Sequence, residues 1–314
     1  MILSVSRRTD IPNYYSEWFM NRLKDGFLCV RNPMNPHQVS KIELSPELVD
    51  CIVFWTKNPK PMFTRLDELN PYKYYFQFTL TGYGKDIEPN VPHKKHEMIS
   101  IFKELSLRIG KEKVVWRYDP IFFTEKYTQE YHVRAFEAIA KELNCYTDKV
   151  VISFLDIYRK TKKNMYGISL IQKEQDELRA FASKLAKIAS ENHMKIATCA
   201  EQIDLSECGI EHNSCIDREL IERVIGCKIN AKKDKNQRDE CGCVESIEVG
   251  AYDTCLNGCK YCYANFSDEI VRKKCKQYNP NSPILLDNIT EEDKVTMKKM
   301  KSVRQEQIEL NFTL

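Results

Sequence analysis

Residues 246–265 read SIEVGAYDTCLNGCKYCYAN, and this stretch carries the strongest structural and chemical signal in the chain. Its first part, residues 246–251, predicts a short β-strand. The strand leads directly into three cysteines, Cys255, Cys259 and Cys262, with the spacing C-x3-C-x2-C. Three thiolates in one loop can bind three irons of a [4Fe–4S] cluster and leave the fourth iron without a protein ligand. We therefore predict an open iron–sulfur cluster directly after this strand.

Two other metal sites are alternatives for these three cysteines. Structural zinc is usually held by pairs of cysteines with C-x2-C-type spacing or by cysteine and histidine together. A spacing of three and then two residues fits zinc less well. An iron–sulfur site of another type also stays open, because spacing alone does not identify the fourth ligand.

The first two hundred residues repeat one rhythm, in which a short apolar run ends in polar residues and an amphipathic helix follows. The apolar runs are residues 2–6, 51–56, 74–80, 113–117, 150–155 and 195–199, and residues 246–251 form a seventh. Helices are predicted over residues 96–109, 129–143 and 174–192. Alternating strands and helices predict parallel strands joined by crossovers. We therefore expect an α/β fold, a partial or full parallel (β/α) barrel rather than a doubly wound sheet.

The composition is ordinary for a soluble globular protein. The chain has 314 residues, of which 42% are hydrophobic and 30% charged, and its net charge is +3. This charge gives no general signal for a nucleic-acid or membrane partner. No stretch approaches the roughly 18–20 apolar residues of a membrane span, and the apolar run at the N-terminus is too short for a signal peptide. We expect a cytoplasmic protein.

Thirteen cysteines are many for a cytoplasmic chain, where clustered thiols indicate metal binding or catalysis more often than disulfides. Ten of them lie between Cys199 and Cys275. An auxiliary [4Fe–4S] cluster is predicted at Cys199, Cys215, Cys241 and Cys243. Structural zinc and free buried thiols are the alternatives for this group. The remaining assignments are spare thiols at Cys208 and Cys227 and core positions at Cys29, Cys51 and Cys145.

The cysteine loop resembles the defining motif of radical S-adenosylmethionine (SAM) enzymes. Tyr261, directly before the third cysteine, matches the aromatic residue that contacts the adenine in that superfamily. The runs SVSRRTDIP, FWTKNP, QFTLTGYG, WRYDPI, SFLDIYRKT, TCAEQIDL, SCID, KDKNQR, CGC and YDTC–GC–YCYAN together resemble the uncharacterised family called domain of unknown function 1848. This second resemblance extends from residue 1 to about residue 266.

The superfamily resemblance implies a [4Fe–4S] cluster whose open iron binds SAM, with an electron from the cluster cleaving SAM to a 5′-deoxyadenosyl radical. It also implies a reductant such as flavodoxin or ferredoxin. Radical SAM enzymes carry this motif after their first strand, whereas here it lies near the C-terminal end. The resemblance therefore implies a circularly permuted barrel, in which residues 246–251 supply the strand that ordinarily comes first.

Polar residues at the ends of the predicted strands are candidates for binding SAM and substrate, because barrel enzymes keep their chemistry at that rim. The candidates for the cofactor are Tyr261, Arg7, Arg8, Asp10, Thr56, Lys57, Gln77, Thr79, Arg117 and Asp119. Asp10 could accept a hydrogen bond from the SAM ammonium, and an arginine could bind its carboxylate. Asp156 and Glu201 are weaker candidates for contacts with a polar substrate.

The chain divides into four predicted segments. Residues 1–200 form the barrel repeats, 201–245 the cysteine-rich auxiliary segment, 246–266 the strand and cluster loop, and 267–314 a polar extension.

Two other functions stay open at this point. One is nucleic-acid repair or modification resembling spore photoproduct lyase, with phosphate contacts from Lys232, Lys233, Lys235 and Arg238. The other is a non-enzymatic iron–sulfur electron carrier or a zinc-stabilised binding module. The tail from Gln307 to Phe312 also resembles the peptide with which bacterial proteins bind the sliding clamp.

Overall fold

Strands with apolar residues on both faces build a large parallel sheet in the computed structural model, which describes residues 1–92, 97–238 and 240–305. In chain order the elements are β1 (Ile2–Val5), α1 (Ile11–Tyr14), α2 (Ser16–Asp25), β2 (Phe27–Asn32), β3 (Asn35–Glu43), β4 (Cys51–Thr56), β5 (Tyr74–Thr79), α3 (Ile99–Ile109), β6 (Val114–Ile121), α4 (Gln129–Leu143), β7 (Lys149–Phe154), α5 (Arg159–Asn164), α6 (Gln175–Glu191), β8 (Lys195–Cys199), β9 (Glu211–Asn213), α7 (Arg218–Ile225), β10 (Ile247–Glu248), α8 (Asp268–Cys275) and β11 (Lys294–Met297). Short 3-10 helices lie at Lys60–Leu69, Lys111–Lys113 and Ser206–Cys208.

The large sheet has eight strands in the order β10–β1–β4–β5–β6–β7–β8–β9, and every neighbouring pair is parallel. From β1 to β9 its strands follow one another in chain order, so each crossover moves in the same direction along the sheet. Within residues 1–92, 97–238 and 240–305, no ladder joins β9 to β10. The predicted α/β fold with parallel strands is confirmed, whereas closure into a full barrel is not seen in these ranges.

The strand before the cysteine loop is shorter than predicted. Residues 246–251 were expected to form it, but only Ile247–Glu248 pair with β1, with Leu3 opposite Ile247 and Ser4 opposite Glu248. The backbone amide of Gly250 donates to the Glu248 carboxylate at 3.0 Å, so the chain turns away from the sheet there. The short strand still starts the cysteine loop at the edge of the sheet beside β1.

The two faces of the large sheet pack against different parts of the chain. On one face, Ile52, Phe54, Phe76 and Trp116 belong to the main hydrophobic core, which the helices also supply. On the other face, apolar strand residues pack against the segment that holds the second cysteine group. These strand residues are Ile2, Cys51, Val53, Tyr75, Val115 and Val151.

Capping residues define the N-terminal ends of two of the predicted helices. Thr128 accepts a hydrogen bond from the amide of Tyr131 and starts α4, whose bounds equal the predicted 129–143. Glu174 and Glu177 form a reciprocal capping box at the start of α6, close to the predicted 174–192. The helix predicted over 96–109 is α3, which begins at Ile99. None of the helices in the described ranges combines the length and the apolar character that crossing a membrane requires.

A second, smaller sheet joins two distant parts of the chain. Its strand order is β11–β3–β2, with β3 antiparallel to β2 and parallel to β11. Ile284, Leu285 and Leu286 are buried nearby, and Cys29 donates its amide to the Pro283 carbonyl at 2.8 Å. The described part of the segment after residue 266 therefore packs on the domain.

Candidate metal and cofactor site

A cavity of about 1030 Å³ lies at the carboxyl ends of the parallel strands. Both predicted cysteine groups line it, Cys255, Cys259 and Cys262 together with Cys199, Cys215, Cys241 and Cys243. It is also lined by most of the other predicted site residues, namely Arg7, Arg8, Asp10, Thr56, Lys57, Thr79, Arg117, Asp119, Asp156 and Tyr261. The topology thus brings residues from both ends of the chain to one place.

Asparagine side chains hold the backbone of the cysteine loop. Asn265 donates to the Cys255 carbonyl at 2.7 Å, Asn164 to the Cys262 carbonyl at 3.0 Å, and Asn90 to the Leu256 carbonyl at 2.7 Å. Gly258 has a φ of +66°, and a Cβ there would lie 3.1 Å from Pro89. These contacts fix the backbone of the loop that carries the three thiols.

Asp10 ties three elements together behind the cysteine loop. Its carboxylate accepts from the Lys57 amide at 2.8 Å, the Asn257 side chain at 3.0 Å and the Asn13 amide at 3.1 Å. Burial raises the pKa of Asp10, and these hydrogen bonds oppose that rise. Asp10 was predicted to accept from SAM, but in this structure its described bonds position β4 and the loop.

A buried ion pair lies beside Cys259. The Lys57 ammonium donates to Glu88 at 2.8 Å and to the Tyr261 hydroxyl at 2.8 Å, and that hydroxyl donates to Glu88. Burial alone would lower the pKa of Lys57, but the Glu88 carboxylate and the neighbouring Cys259 raise it above its ordinary value. Lys57 therefore carries a positive charge next to the second cysteine of the motif.

The Tyr261 ring packs in a small aromatic cluster. Its centroid lies 5.9 Å from that of Tyr83 and 6.3 Å from that of Phe122. Tyr261 is also one of the residues that line the cavity. The predicted contact of this ring with adenine stays a prediction.

Burial raises the pKa of the three motif thiols, to about 12 for Cys259. Neighbouring cysteines and acidic groups raise the pKa of Cys255 and Cys259 further, whereas backbone amides and nearby lysines oppose the rise at Cys262. Thiolates at these positions need an opposing charge, which a metal cluster supplies. The donor set fits a [4Fe–4S] cluster, since three thiols of one loop line one cavity. Among the residues that the structure describes, no three or more Cys, His, Asp or Glu side chains form a group that could hold a single metal ion. In a cluster each thiolate binds its own iron, so the sulfurs need not meet at one point.

The second cysteine group lies on the face of the large sheet opposite the main hydrophobic core. Cys199 and Cys215 have their sulfurs 2.8 Å apart, and the Arg117 guanidinium donates to the Cys215 sulfur at 3.1 Å. Arg117 also binds Asp119 at 3.1 Å, and its pKa lies above the ordinary value because Asp119 and nearby thiols outweigh burial. Gln77 binds the Cys215 carbonyl at 2.9 Å and does not line the cavity. This bond positions Cys215, and the predicted contact of Gln77 with a cofactor stays a prediction.

Two arginines from the loop after β1 face the cavity in different settings. Arg7 donates through its amide to Glu248 at 3.1 Å and through its side chain at 3.4 Å. Arg8 lies 4.5 Å above the Tyr252 ring, and Lys160 lies 4.8 Å from the same ring. Arg8 and Lys160 therefore bring two positive charges to the wall beside the cysteine loop.

The weaker substrate candidates occupy the rim or lie outside the cavity. Asp156 pairs with Arg238, and both line the opening. Glu201 accepts from the Phe154 amide at 2.8 Å and does not line the cavity. Burial raises the pKa of Glu201 to about 7. Its described contact is with the backbone of β7, so it supports the cavity wall from behind.

Several important residues were not predicted from sequence. They are Glu88, Glu248, Tyr252, Asn257 and Lys160. Asn257 and Tyr252 adjoin the cysteine motif, so their position was a usable signal. Glu88 comes from a distant loop and has no local pattern that marks it, whereas Lys160 lies in the short helix α5.

The remaining cysteines are mostly placed as predicted. Cys29 and Cys51 are buried, whereas Cys208 and Cys227 are half-buried and do not line the cavity. Cys145 was predicted in the core, and this is wrong because it follows the end of α4 in an exposed turn with a φ of +70°. Lys232, Lys233 and Lys235 are exposed. The clamp-like residues 307–312 lie outside the described residues.

The fold and site define a class of α/β protein with an eight-stranded parallel sheet and a cysteine-lined cavity at the carboxyl ends of its strands. The chain belongs to the family described as a domain of unknown function (DUF1848), whose model matches residues 2–264. This range contains all seven cysteines that line the cavity.

Other comparisons add little. No curated protein matches the chain. Among solved structures, a proposed alpha-L-fucosidase from Bacteroides thetaiotaomicron is similar at 14% identity and a TM-score of 0.25. That alignment covers 50% of this chain and 66% of the fucosidase chain, so it spans just under two thirds of that protein. A similarity at this level carries no argument about fold or function.

Proposed function

We propose that this chain is a radical SAM enzyme whose [4Fe–4S] cluster is held by Cys255, Cys259 and Cys262. One observation carries the proposal: the three cysteines of a C-x3-C-x2-C loop all line one cavity at the carboxyl ends of parallel strands. Enzymes with parallel α/β architecture keep their chemistry at that end of the sheet. When bound, the cluster and SAM supply a 5′-deoxyadenosyl radical that abstracts a hydrogen atom from substrate.

The strand order supports a circularly permuted architecture of the radical SAM type. β10 leads into the cysteine loop and lies parallel to β1 at the edge of the sheet. In the order of strands across the sheet, β10 therefore comes before β1. Along the chain it follows β1 by more than two hundred residues. The motif strand occupies the first place in the row of strands, which is where the superfamily has it.

The chain's own residues prepare the cavity for charged groups. Lys57 places a positive charge beside Cys259, where it would stabilise thiolate ligands. Arg8 and Lys160 both lie against the Tyr252 ring, 4.5 and 4.8 Å from its centroid, and are placed to attract the carboxylate of SAM. Asp10 and Asn257 hold the loop against the end of β4. The polar wall favours a polar substrate.

The proposal is tested by anaerobic assay of SAM cleavage with iron- and sulfide-reconstituted protein and dithionite. The wild-type chain should release 5′-deoxyadenosine and methionine, and Cys259→Ala should release neither. Cys145→Ala, which removes an exposed thiol outside the cavity, is the matched control and should behave as wild type. Equal cleavage by Cys259→Ala, or no cleavage by cluster-loaded wild type, would contradict the proposal. Stimulation by added DNA or RNA would favour the nucleic-acid alternative.

A further inference from the structure

Four cysteines from three chain segments meet on the face of the large sheet opposite the main hydrophobic core. Cys199 is the last residue of β8, Cys215 follows β9, and Cys241 and Cys243 flank Gly242 in the segment before β10. All four are buried and also line the cavity. This group is separate in sequence from the C-x3-C-x2-C loop, so the proposed enzymatic function does not account for it.

The sulfurs of these cysteines form a continuous chain of contacts. Cys199 and Cys215 are 2.8 Å apart, Cys215 also interacts with Cys243, and Cys243 interacts with Cys241. Four buried thiols that lie side by side have sulfur lone pairs to which apolar neighbours donate no hydrogen bond. A group of cysteine sulfurs is the set of ligands that thiophilic metals bind.

The hydrogen bonds distinguish these thiols from a core cysteine. The Cys215 sulfur accepts from the Arg117 guanidinium at 3.1 Å, and the Cys243 sulfur accepts from the Ile216 amide at 3.3 Å. Cys51, on the same face of the sheet, acts instead as a weak donor to the Ile52 carbonyl at 3.8 Å. N–H donors directed at cysteine sulfur are typical of iron–sulfur sites, where they tune the cluster.

The backbone is shaped to bring the two halves of the group together. A Cβ on Gly242 would lie 2.5 Å from the Ser214 hydroxyl, which is closer than real Cβ contacts occur. Glycine at this position lets the segment with Cys241 and Cys243 approach the segment with Cys215 without displacing the Ser214 hydroxyl. Tyr75 and Gln77 bind the Cys215 carbonyl from the sheet at 2.8 and 2.9 Å.

We propose that Cys199, Cys215, Cys241 and Cys243 bind a second [4Fe–4S] cluster on the wall of the same cavity. A cluster is favoured over zinc because N–H groups of Arg117 and Ile216 are directed at the Cys215 and Cys243 sulfurs, a pattern typical of iron–sulfur sites. Each of the four thiolates would bind one iron. The inference goes beyond the proposed function, since it requires neither SAM nor the cysteine loop.

The test is metal and sulfide analysis of anaerobically reconstituted full-length protein and three variants. Wild type should hold about eight irons, as expected for two [4Fe–4S] clusters. The variant C255A/C259A/C262A should keep about four irons, four sulfides and a reducible cluster signal in electron paramagnetic resonance (EPR) spectra, from the second cluster alone. C241A/C243A should lose about four irons and keep the signal that responds to SAM. C208A/C227A is the control, because these thiols do not line the cavity, and should match wild type.

Two results would overturn the inference: an iron-free C255A/C259A/C262A, or zinc in place of iron in that variant. If C241A/C243A fails to fold, the iron content of wild type and of C255A/C259A/C262A still decides. An iron-free C255A/C259A/C262A beside a wild-type signal that shifts with SAM would remove the second cluster and leave the proposed function. A cluster retained in C255A/C259A/C262A, together with a wild-type signal that does not change with SAM, would support the second cluster and contradict the proposed function.

Discussion

Lys57 and Glu88 show how single residues set the charge around the cysteine loop. Both groups are buried, and Glu88 is 1% exposed. Removing one partner leaves the other charge without its counterion in a medium of low polarity, which costs about 3 kcal/mol or more. Glu88→Gln should therefore lower the free energy of unfolding by about 3 kcal/mol, measured by urea denaturation under anaerobic conditions.

Asp148→Asn is the matched control, since it removes the carboxylate of a solvent-exposed pair with Lys111. Surface ion pairs contribute little, so this variant should unfold at the wild-type urea concentration. Equal unfolding midpoints for Glu88→Gln and wild type would show that the buried pair does not stabilise the loop region.

Gly242 gives a second test at the scale of single residues. Gly242→Ala would place its Cβ 2.5 Å from the Ser214 hydroxyl, and the clash should cost about 1–3 kcal/mol. The Ser214 Cβ lies at 3.7 Å, an ordinary contact distance. Ser214→Ala should therefore restore most of the stability in the double variant, measured as a double-mutant cycle in urea. Additive losses without rescue would contradict the close approach of these two segments.

At the scale of elements, β10 depends on one side chain. Only two of its residues pair with β1, and Glu248 adds bonds from the Ser4 hydroxyl at 2.7 Å and the Arg7 amide at 3.1 Å. Such a short edge strand is weak without side-chain contacts. The connection between β1 and the cysteine loop therefore relies on Glu248.

Glu248→Ala should speed amide hydrogen exchange in the peptides that cover β1 and residues 246–262. We expect an increase of about tenfold, which corresponds to the loss of about 1.4 kcal/mol from local bonds. Glu211→Ala, an exposed position on the opposite edge strand β9, is the control and should leave these peptides unchanged. Unchanged exchange in Glu248→Ala would mean that the two-residue ladder holds the loop without this side chain.

The strands of the sheet could be predicted because their apolar runs are local. The bounds of β4 and β8 agree with the predicted residues 51–56 and 195–199, and α4 agrees with 129–143. The length of β10 could not be predicted, because the turn at Gly250 depends on a bond to Glu248 that forms only in the folded chain. The smaller sheet was not predicted for two reasons. The first half of β3 is polar and mostly exposed, and its partner β11 follows it by about 250 residues in the chain.

At the scale of the whole molecule, a buried histidine links stability to pH. His132 is fully buried, with its ring nitrogens bonded to the Tyr118 hydroxyl at 2.9 Å and the Phe122 carbonyl at 3.0 Å. Burial lowers the pKa of His132 to about 4. The unfolded chain, with an ordinary histidine pKa of about 6.5, therefore takes up a proton at a higher pH than the folded chain does.

Acid should therefore destabilise the fold through His132 as the pH falls from about 6.5 toward 4. Between pH 7 and pH 5 the loss should be about 2 kcal/mol of unfolding free energy. His132→Gln should remove most of this dependence, measured by urea unfolding at several pH values. His37→Gln, at an exposed position, should keep the wild-type pH profile. A variant at position 132 with the same slope as wild type would contradict this assignment.

The residues that line the cysteine cavity could be predicted only in part, because the cavity combines distant parts of the chain. The spacing of Cys255, Cys259 and Cys262 is local, and six of the candidates lie in β1, β4 and β6 or shortly after them in the chain: Arg7, Arg8, Thr56, Lys57, Arg117 and Asp119. Glu88 reaches the site from a loop after β5, and nothing in its own neighbourhood marks it. Gln77 and Glu201 lie at predicted strand ends but bind backbone groups behind the cavity wall. The direction of a strand predicts at which end of the sheet a residue lies. The partners of its side chain depend on how the folded chain packs.

The most direct test of the central claim is EPR spectroscopy of anaerobic, reconstituted and dithionite-reduced protein, recorded with and without SAM. If Cys255, Cys259 and Cys262 hold a cluster with an open iron, adding SAM should change the g-values of a reduced [4Fe–4S] signal. The same change should be absent from C255A/C259A/C262A. A wild-type cluster signal that is identical with and without SAM, or protein that takes up no iron, would contradict the claim.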